Sequence, residues 1–157
     1  MKLSTRGRYG TRSMLELSKQ YGKGPISMSD ISRNQKIPIK YLEQLIIPLK
    51  KAKLITSVRG PKGGHMLSRA PEEINLWEIL LRLESKFSFV DCLADATCCE
   101  NSSTCAIRPV WGKAFNSMRD IFMNTSLVDV LKLHDAHPIK SFSGAAHRLR
   151  AREQGKP

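Results

Sequence analysis

The sequence predicts a mainly α-helical fold with a small β-hairpin. Apolar residues recur at the spacing of amphipathic helices in several segments. Two short strand-like runs flank a glycine-rich turn at residues 59–64, and this arrangement predicts the hairpin. The 157 residues are 41% hydrophobic and 25% charged, which is ordinary for a globular protein with a buried core. The length suits one domain, or one small domain with an appendage.

The first two helices precede residue 36. The first is predicted over residues 9–21, where three apolar side chains share one face: Met14, Leu17 and Tyr21. Glycine and proline at residues 22–25 end this helix. Ser27 then caps a short second helix that runs to about Gln35, and Asp30 completes its capping box.

The third helix follows a turn at residues 36–38. Four apolar residues recur on its inner face: Leu42, Leu45, Ile46 and Leu49. Polar residues occupy the opposite face: Lys40, Glu43, Gln44, Lys50 and Lys51. Pro48 lacks a backbone donor and clashes with the preceding turn, so we expect the helix to kink or end near it.

Residues 54–58 and 65–68 are predicted to form the two strands of the hairpin. Three helices followed by such a hairpin is the order of a winged helix-turn-helix domain. In that fold the third helix lies in the major groove and the hairpin tip contacts the neighbouring backbone or minor groove. We therefore predict a winged helix-turn-helix DNA-binding domain over residues 1–70. A three-helix domain with a hairpin and no DNA-binding role is the alternative.

The charge distribution favours nucleic-acid binding. Residues 1–69 hold 15 Lys and Arg against 3 Asp and Glu, whereas residues 70–136 hold 6 against 10. Residues 137–157 hold 5 basic residues and 1 acidic residue. The excess behind the formal net charge of +12 thus lies in the first segment, as expected for contact with a phosphate backbone. A solubilising surface is the alternative explanation.

Several classes of protein are disfavoured. The longest apolar runs are far below the ~20 residues of a membrane-spanning helix, and the N-terminus has no secretory h-region. We therefore expect a cytoplasmic protein that does not act at a membrane. An enzyme is disfavoured because the sequence has no P-loop, dinucleotide-binding glycine pattern or nucleophile motif, and its four histidines lack ligand spacing. A structural RNA-binding protein is a further alternative.

The second half of the chain predicts three more helices. One covers residues 71–86 and turns four apolar side chains inward: Ile74, Trp77, Leu80 and Leu81. Pro109 suits the first turn of a long helix with an apolar stripe: Trp111, Ala114, Phe115, Met118, Ile121 and Phe122. The stripe is either core or a dimer seam, and the shortage of covering elements favours a dimerisation helix. A capping box at Ser126 and Asp129 opens a short helix through Leu133.

Residues 71–133 are thus assigned to a cysteine loop and dimerisation helices, and residues 134–157 to a disordered basic tail. All four cysteines lie within 14 consecutive residues: Cys92, Cys98, Cys99 and Cys105. In a reduced cytoplasm this clustering favours metal or cluster ligation over disulfide bonds. Two sets of three ligands are possible: Cys92 and Cys105 together with either Cys98 or Cys99. Neither has the short spacing of structural zinc, so we prefer an iron–sulfur cluster, with zinc as an alternative. A further alternative is a cluster-free regulator that uses the cysteines as redox-sensing thiols or responds to a partner protein.

Three segments resemble a known family: MKLSTRGRYG at residues 1–10, YLEQL at 41–45 and SVRGPKGG at 57–64. With the cysteine loop before the long helix, residues 1 to about 133 resemble the winged-helix, iron–sulfur-dependent transcription regulators typified by IscR, NsrR and RirA. The resemblance implies a homodimer that binds a pseudo-palindromic operator in double-stranded DNA, with a cluster whose state alters DNA affinity. It also suggests RNA polymerase or cluster-assembly proteins as partners.

The resemblance implies which residues contact DNA. The helical contacts are Ser27, Met28, Lys40, Tyr41, Glu43 and Gln44. The wing contacts are Arg59, Gly60, Pro61, Lys62, Gly63 and Gly64. Arg59 and Lys62 suit phosphate or a narrow minor groove. Glu43 repels phosphate, so we expect it to accept a hydrogen bond from cytosine N4 and select sequence, unless it only pairs with a neighbouring lysine.

The ligand set departs from the family's pattern. Spacing within the family implies Cys92, Cys99 and Cys105 as ligands, with Cys98 as a spare thiol, an alternative or the fourth ligand. Arg108 and Arg8 stand where family members supply a histidine or a partner-subunit carboxylate, and a guanidinium cannot ligate iron. The other sources of a fourth ligand are an exogenous molecule and three nearby carboxylates: Asp91, Asp95 and Glu100. We favour [2Fe–2S] over [4Fe–4S].

Overall fold

The computed structural model describes residues 3–84, 88 and 90–136. Three helices come first: α1 (Thr5–Lys19), α2 (Met28–Gln35) and α3 (Ile39–Lys51). Two antiparallel strands follow: β1 (Ile55–Val58) and β2 (Gly64–Leu67). The remaining helices are α4 (Leu76–Leu83), α5 (Asp91–Ala94), α6 (Arg108–Met123) and α7 (Leu127–Ala136). The predicted mainly helical fold with a winged helix-turn-helix order is confirmed.

A hydrophobic core joins the three N-terminal helices, the hairpin, α4 and α7. Its fully buried side chains include Met14, Ile31, Leu42, Leu45, Leu49, Ile74, Ile79 and Leu127. Burying one such side chain contributes roughly 1.5–3 kcal/mol, so the core supplies the main stabilising term. The core continues across residue 70, and α4 and α7 therefore hold the winged-helix part in place.

The first helix begins and ends earlier than predicted. Ser4 caps α1, because its hydroxyl accepts a hydrogen bond from Gly7 N at 3.1 Å. Met14 and Leu17 are buried as predicted. The placement of Tyr21 on the helical face is wrong, since α1 ends at Lys19 and the Tyr21 side chain is exposed. The chain turns at residues 20–22 before the helical period can return Tyr21 to the core.

The capping box of α2 is confirmed, and α3 ends within one turn after Pro48, near which we expect a kink or an end. Ser27 Oγ accepts from Asp30 N at 3.1 Å and donates to Asp30 Oδ2 at 2.6 Å. The α3 helix continues through Pro48 to Lys51. Pro48 O accepts a hydrogen bond from Ala52 N at 3.0 Å, so the final turn closes after the proline. Buried apolar residues on both sides of the proline, Ile46 and Leu49, hold this turn on the core.

The hairpin is tied to the residue that precedes α2. Its register pairs Ile55 with Leu67 and Val58 with Gly64. Ile26 N donates to His65 O at 2.9 Å, and His65 N donates to Ile26 O at 2.8 Å. Gly64 permits this bridge, because a Cβ there would lie 2.6 Å from the Ile26 carbonyl carbon and even closer to its oxygen. The wing base and the start of α2 therefore form one unit.

The single helix predicted over residues 71–86 is two elements. A 3₁₀ turn at Pro71–Glu73 precedes α4, whose cap Asn75 accepts from Glu78 N at 2.9 Å. The break changes which side chains face inward, so the inward placement of Leu81 is wrong and Ile79 and Leu83 are buried instead. Ile74 and Leu80 are buried as predicted. Trp77 is half-buried and meets Phe115 edge to face, with ring centroids 6.1 Å apart.

The α6 helix is not part of the core. Pro109 lies in its first turn as predicted, but none of its residues is buried. Trp111 is 40% exposed and Ile121 is 64% exposed. Of the two readings of this apolar stripe, intrachain core packing is therefore disfavoured. In the part of the chain that the structure describes, every helix is too short or too polar to cross a bilayer.

The last described helix confirms its capping box and extends beyond its predicted end. Ser126 Oγ accepts from Asp129 N at 3.2 Å and donates to Asp129 Oδ2 at 2.6 Å. The predicted tail was to begin at residue 134, yet α7 continues to Ala136. The rest of that predicted tail, residues 137–157, lies outside the described residues.

We predict that Gly64→Ala lowers the free energy of unfolding by about 1–3 kcal/mol, because its Cβ would press on the Ile26 backbone rather than on a side chain that can move. Gly112→Ala is the matched control, since the nearest atom to its Cβ is Leu93 Cδ2 at 3.8 Å. Because alanine favours a helix more than glycine does, Gly112→Ala is expected to raise the free energy of unfolding by up to about 1 kcal/mol. Urea unfolding at one protein concentration measures both values, and an unchanged midpoint for Gly64→Ala would contradict the prediction.

Candidate DNA-binding face and cysteine loop

The outer face of α3 is mainly polar and open to solvent, with Ile47 as an exposed apolar residue on it. Lys40, Glu43 and Gln44 are exposed and lie at i, i+3 and i+4, so they share one stripe of the helix. Lys51 continues this stripe toward the end of α3. The opposite face is buried in the core, which leaves the stripe as the surface that α3 can offer to a groove.

Three of the predicted contact residues also have structural partners. Tyr41 is half-buried against the core, and its ring meets that of Tyr9 edge to face with centroids 5.8 Å apart. The Ser27 hydroxyl is engaged in the α2 cap. Met28 is half-buried against the core. The described contacts of these residues thus position the helices.

The tip of the wing combines cations with a tight turn. Arg59, Gly60, Pro61 and Lys62 are exposed, whereas Gly63 is half-buried and donates from its N–H to Gly60 O at 2.9 Å. Gly64 lies at the base of the wing, where it faces the Ile26 backbone. The exposed cations therefore project from a turn whose base is held rigidly.

A buried carboxylate fixes the turn that leads into α3. Glu16 of α1 is only 8% exposed, and its two oxygens accept hydrogen bonds from Asn34 Nδ2 and Gln35 Nε2, each at 2.7 Å. Arg12 donates to the Gln35 carbonyl oxygen and, from Nε, to Gln35 Oε1 at 3.1 Å. These bonds join α1 to the end of α2. The sequence pattern did not identify them, although Glu16 beside the inward Leu17 is a polar residue on an apolar face.

The base of the wing carries a histidine that favours its neutral form. Burial and the nearby charge of Lys50 lower the pKa of His65, and its Nδ1 lies 3.1 Å from Ser57 Oγ. Because His65 is neutral at neutral pH, the cationic character of the wing comes from Arg59 and Lys62.

The cysteine loop presents two half-buried and two exposed thiols. Cys92 lies in α5 and Cys105 precedes α6, and both are half-buried. Cys98 and Cys99 are exposed. Partial desolvation, followed by the negative charges of Cys92, Asp95 and Asp91, raises the pKa of the Cys98 thiol. The four cysteines are unpaired thiols and are therefore available as ligands or as redox groups.

The donor chemistry of this loop fits an iron–sulfur cluster, because thiolates are its standard ligands. Within the described residues, however, no three His, Cys, Asp or Glu side chains converge on one point. Arg108 Nε donates to Cys92 O at 3.1 Å, and Arg8 is exposed beside Thr5. Neither arginine can serve as the fourth ligand.

Comparison with known proteins identifies the family. The model of the Rrf2 family, described as an iron-dependent transcriptional regulator, matches residues 3–133. The rrf2 protein of Nitratidesulfovibrio vulgaris is 37% identical over 132 residues, which cover 84% of this chain and 88% of that protein.

Two solved structures share the fold. The chain of CymR, the global cysteine regulator of B. subtilis, has a TM-score of 0.72 at 34% identity, and the match covers 85% of this chain and 98% of that one. T. potens IscR has a TM-score of 0.68 at 35% identity, with coverage of 92% and 94%. The family resemblance read from the sequence is confirmed, and the matched family consists of regulators rather than enzymes. The chain belongs to the Rrf2 family and is a DNA-binding transcription regulator with a winged-helix fold.

Proposed function

We propose that the protein is a homodimeric regulator that binds a pseudo-palindromic operator and that chemistry at the cysteine loop sets its affinity. The observation that carries the DNA-binding part is the exposed polar stripe of α3 next to the exposed cations of the wing. Both rest on one core. The Ile26–His65 bridge ties the wing to the start of α2, and Glu16 of α1 holds the end of α2, just before α3. This surface has the shape and charge that a major groove and its phosphates require.

The proposed contacts divide into two kinds. Lys40, Glu43 and Gln44 on α3 would read base edges in the major groove, since all three side chains are exposed there. Arg59 and Lys62 would hold phosphate or enter the minor groove, with the turn at residues 60–64 placing them. Ser27, Met28 and Tyr41 would contribute at the rim, because each is half-buried and engaged in the fold.

A second copy of this chain is the partner proposed for α6. The helix is 16 residues long and has no buried residue. Large apolar side chains are exposed on Ile107, which immediately precedes the helix, and on four residues within it: Val110, Trp111, Ile121 and Met123. Apolar surface of this extent is unusual on a soluble monomer and favours burial in an interface. Two copies related by a two-fold axis would match a pseudo-palindromic operator.

The cysteine loop is proposed to hold an iron–sulfur cluster, preferably [2Fe–2S]. The residues proposed to hold it are Cys92, Cys99 and Cys105, with Cys98 as the alternative or fourth ligand. The four thiols in one loop and the likeness to T. potens IscR support this proposal. When bound, such a cluster would supply a redox group whose presence depends on iron supply and whose oxidation state can change.

A thiol sensor without a cluster is the second candidate. Two observations favour it: the likeness to CymR of B. subtilis and the exposure of Cys98 and Cys99. The raised pKa of the Cys98 thiol disfavours its thiolate, which is the reactive form of a thiol.

Log affinity falls as log salt rises, and Arg59→Gln is expected to reduce the steepness of this fall by about one, because one phosphate contact is lost. Lys132→Gln is the control, since Lys132 is an exposed lysine on α7 that pairs with Asp129. The measurement is a titration of duplex DNA at several salt concentrations. An equal loss in both variants, or no loss in either, would argue against a wing contact.

Glu43→Ala, which removes both the charge and the hydrogen-bond acceptor, separates base reading from a surface role. If Glu43 accepts from cytosine N4, the variant should weaken binding to the preferred duplex by about tenfold or more, since a good base contact discriminates by roughly 1–3 kcal/mol. Binding to a panel of duplexes that differ at single base pairs measures the effect. Uniformly tighter binding to every duplex would mean that the carboxylate only repelled phosphate.

Cysteine substitutions test the cluster proposal. Cys105→Ala is expected to abolish iron retention, whereas Cys98→Ala should retain iron if Cys99 completes the triad. Visible spectra and iron content of protein purified without oxygen provide the readout. A colourless wild-type protein that stays colourless after reconstitution would favour the thiol sensor, and loss of iron with Cys98→Ala alone would reverse the choice of triad.

A further inference from the structure

An open cleft of about 290 Å³ lies beside the cysteine loop, at the beginning of α6. The residues that line it are Leu93, Ser102, Ser103, Cys105, Arg108, Pro109 and Gly112. Its size is at the lower end of the range for small-molecule sites, so it suits a ligand of a few heavy atoms. Its wall combines one cation and hydroxyl groups with an apolar side.

Ser102 is the feature that points to a ligand. The residue is only 7% exposed, and its buried Oγ makes no hydrogen bond within the described part of the chain. A turn fixes its backbone, because Ser102 N donates to Cys99 O at 3.0 Å. A buried hydroxyl without a partner is costly and uncommon in folded proteins. Because Ser102 lines the cleft, a change of its side-chain rotamer would present this hydroxyl to an incoming molecule.

Arg108 supplies a permanent positive charge on the same wall. Its Nε donates to Cys92 O at 3.1 Å, which anchors the guanidinium group against the loop. That bond uses one of five N–H donors, and the terminal nitrogens make no other hydrogen bond to residues that the structure describes. The planar fork of a guanidinium group matches the two oxygens of a carboxylate.

We infer that this cleft is a binding site for a small monocarboxylate. The carboxylate would pair with Arg108 and accept the Ser102 O–H, and the short carbon chain would lie against Leu93 and Pro109. One cation matches one negative charge, which favours a carboxylate over a phosphate dianion. Occupancy would place a ligand beside Cys105, so the same cleft can report a metabolite to the cysteine loop. Binding itself requires neither a cluster nor DNA.

The test uses the full chain and three probes: butyrate, its neutral amide butyramide, and inorganic phosphate. Two-dimensional NMR follows the backbone amides of Leu93 and Gly112, which line the cleft, and titration yields the dissociation constants. We expect butyrate to shift these amides in a saturable manner and to bind more tightly than either other probe. Absence of binding, equal affinity for butyramide, or tighter binding of phosphate would each overturn the proposal.

Variants locate the site. Arg108→Gln should weaken butyrate binding by about tenfold or more, because a charge-assisted hydrogen bond is lost. Arg119→Gln on the same helix is the matched control, since Arg119 pairs with Asp120 and does not line the cleft. An equal loss of butyrate affinity in both variants would show that only the net charge of the protein matters, and it would overturn the proposal.

Ser102→Ala keeps the test independent of the bond between Arg108 and Cys92. We expect about tenfold or more weaker butyrate binding, because a hydrogen bond to the charged carboxylate is lost. We also expect an unchanged or higher Tm of the ligand-free protein, since the variant removes an unpaired buried hydroxyl. Unchanged butyrate affinity, or a lower Tm that shows the hydroxyl to be structural, would contradict the assignment of Ser102 to the site.

Discussion

The close approach of α1 and α4 at Gly10 governs how the parts of this protein are arranged. A Cβ at Gly10 would collide with the end of the Leu83 side chain, which is itself buried. A larger residue would therefore force the buried Leu83 side chain or α4 itself to shift, at a cost typical of overpacking. Because α4 precedes the cysteine loop in the chain, this helix contact helps to join the DNA-binding part to the proposed sensor.

The α1 helix uses its different faces for different neighbours. One face buries Met14 and Leu17 in the core, and Glu16 holds the end of α2. At its beginning, the Ser4 N–H and hydroxyl both donate to Glu84 Oε1, at 3.1 and 2.8 Å. Glu84 is the residue that follows α4. A displacement of α4 would thus reach the start of α1 and, through Glu16, the turn before α3.

The sequence predicted local features well and long-range ones less well. The capping boxes at Ser27 and Ser126 are confirmed because their partners lie three residues away and compete with nothing else. Tyr21 and Leu81 were misplaced because a helix end and the break at Asn75 interrupted the apolar period. The family was predictable from three motifs. Individual DNA contacts and cluster ligands remain predictions, since neither DNA nor the convergence of the thiols can be read from spacing.

The sequence pattern did not identify the polar side chains with the largest structural roles. Glu16 lies on an apolar face with partners 18 and 19 residues away in the chain, and its role emerges only when α2 is packed on α1. Ser102 belongs to a loop without periodicity, so its burial depends on how that loop closes against α6. The bridge between Ile26 and His65 makes the wing and α2 one body, and Glu16 joins α1 to it. Each subunit of the proposed dimer would then recognise its half-site as a rigid unit, and a signal would act on the separation of the two units. Half-sites recur at about 34 Å, one turn of DNA, so a small change in that separation would move one unit out of its groove.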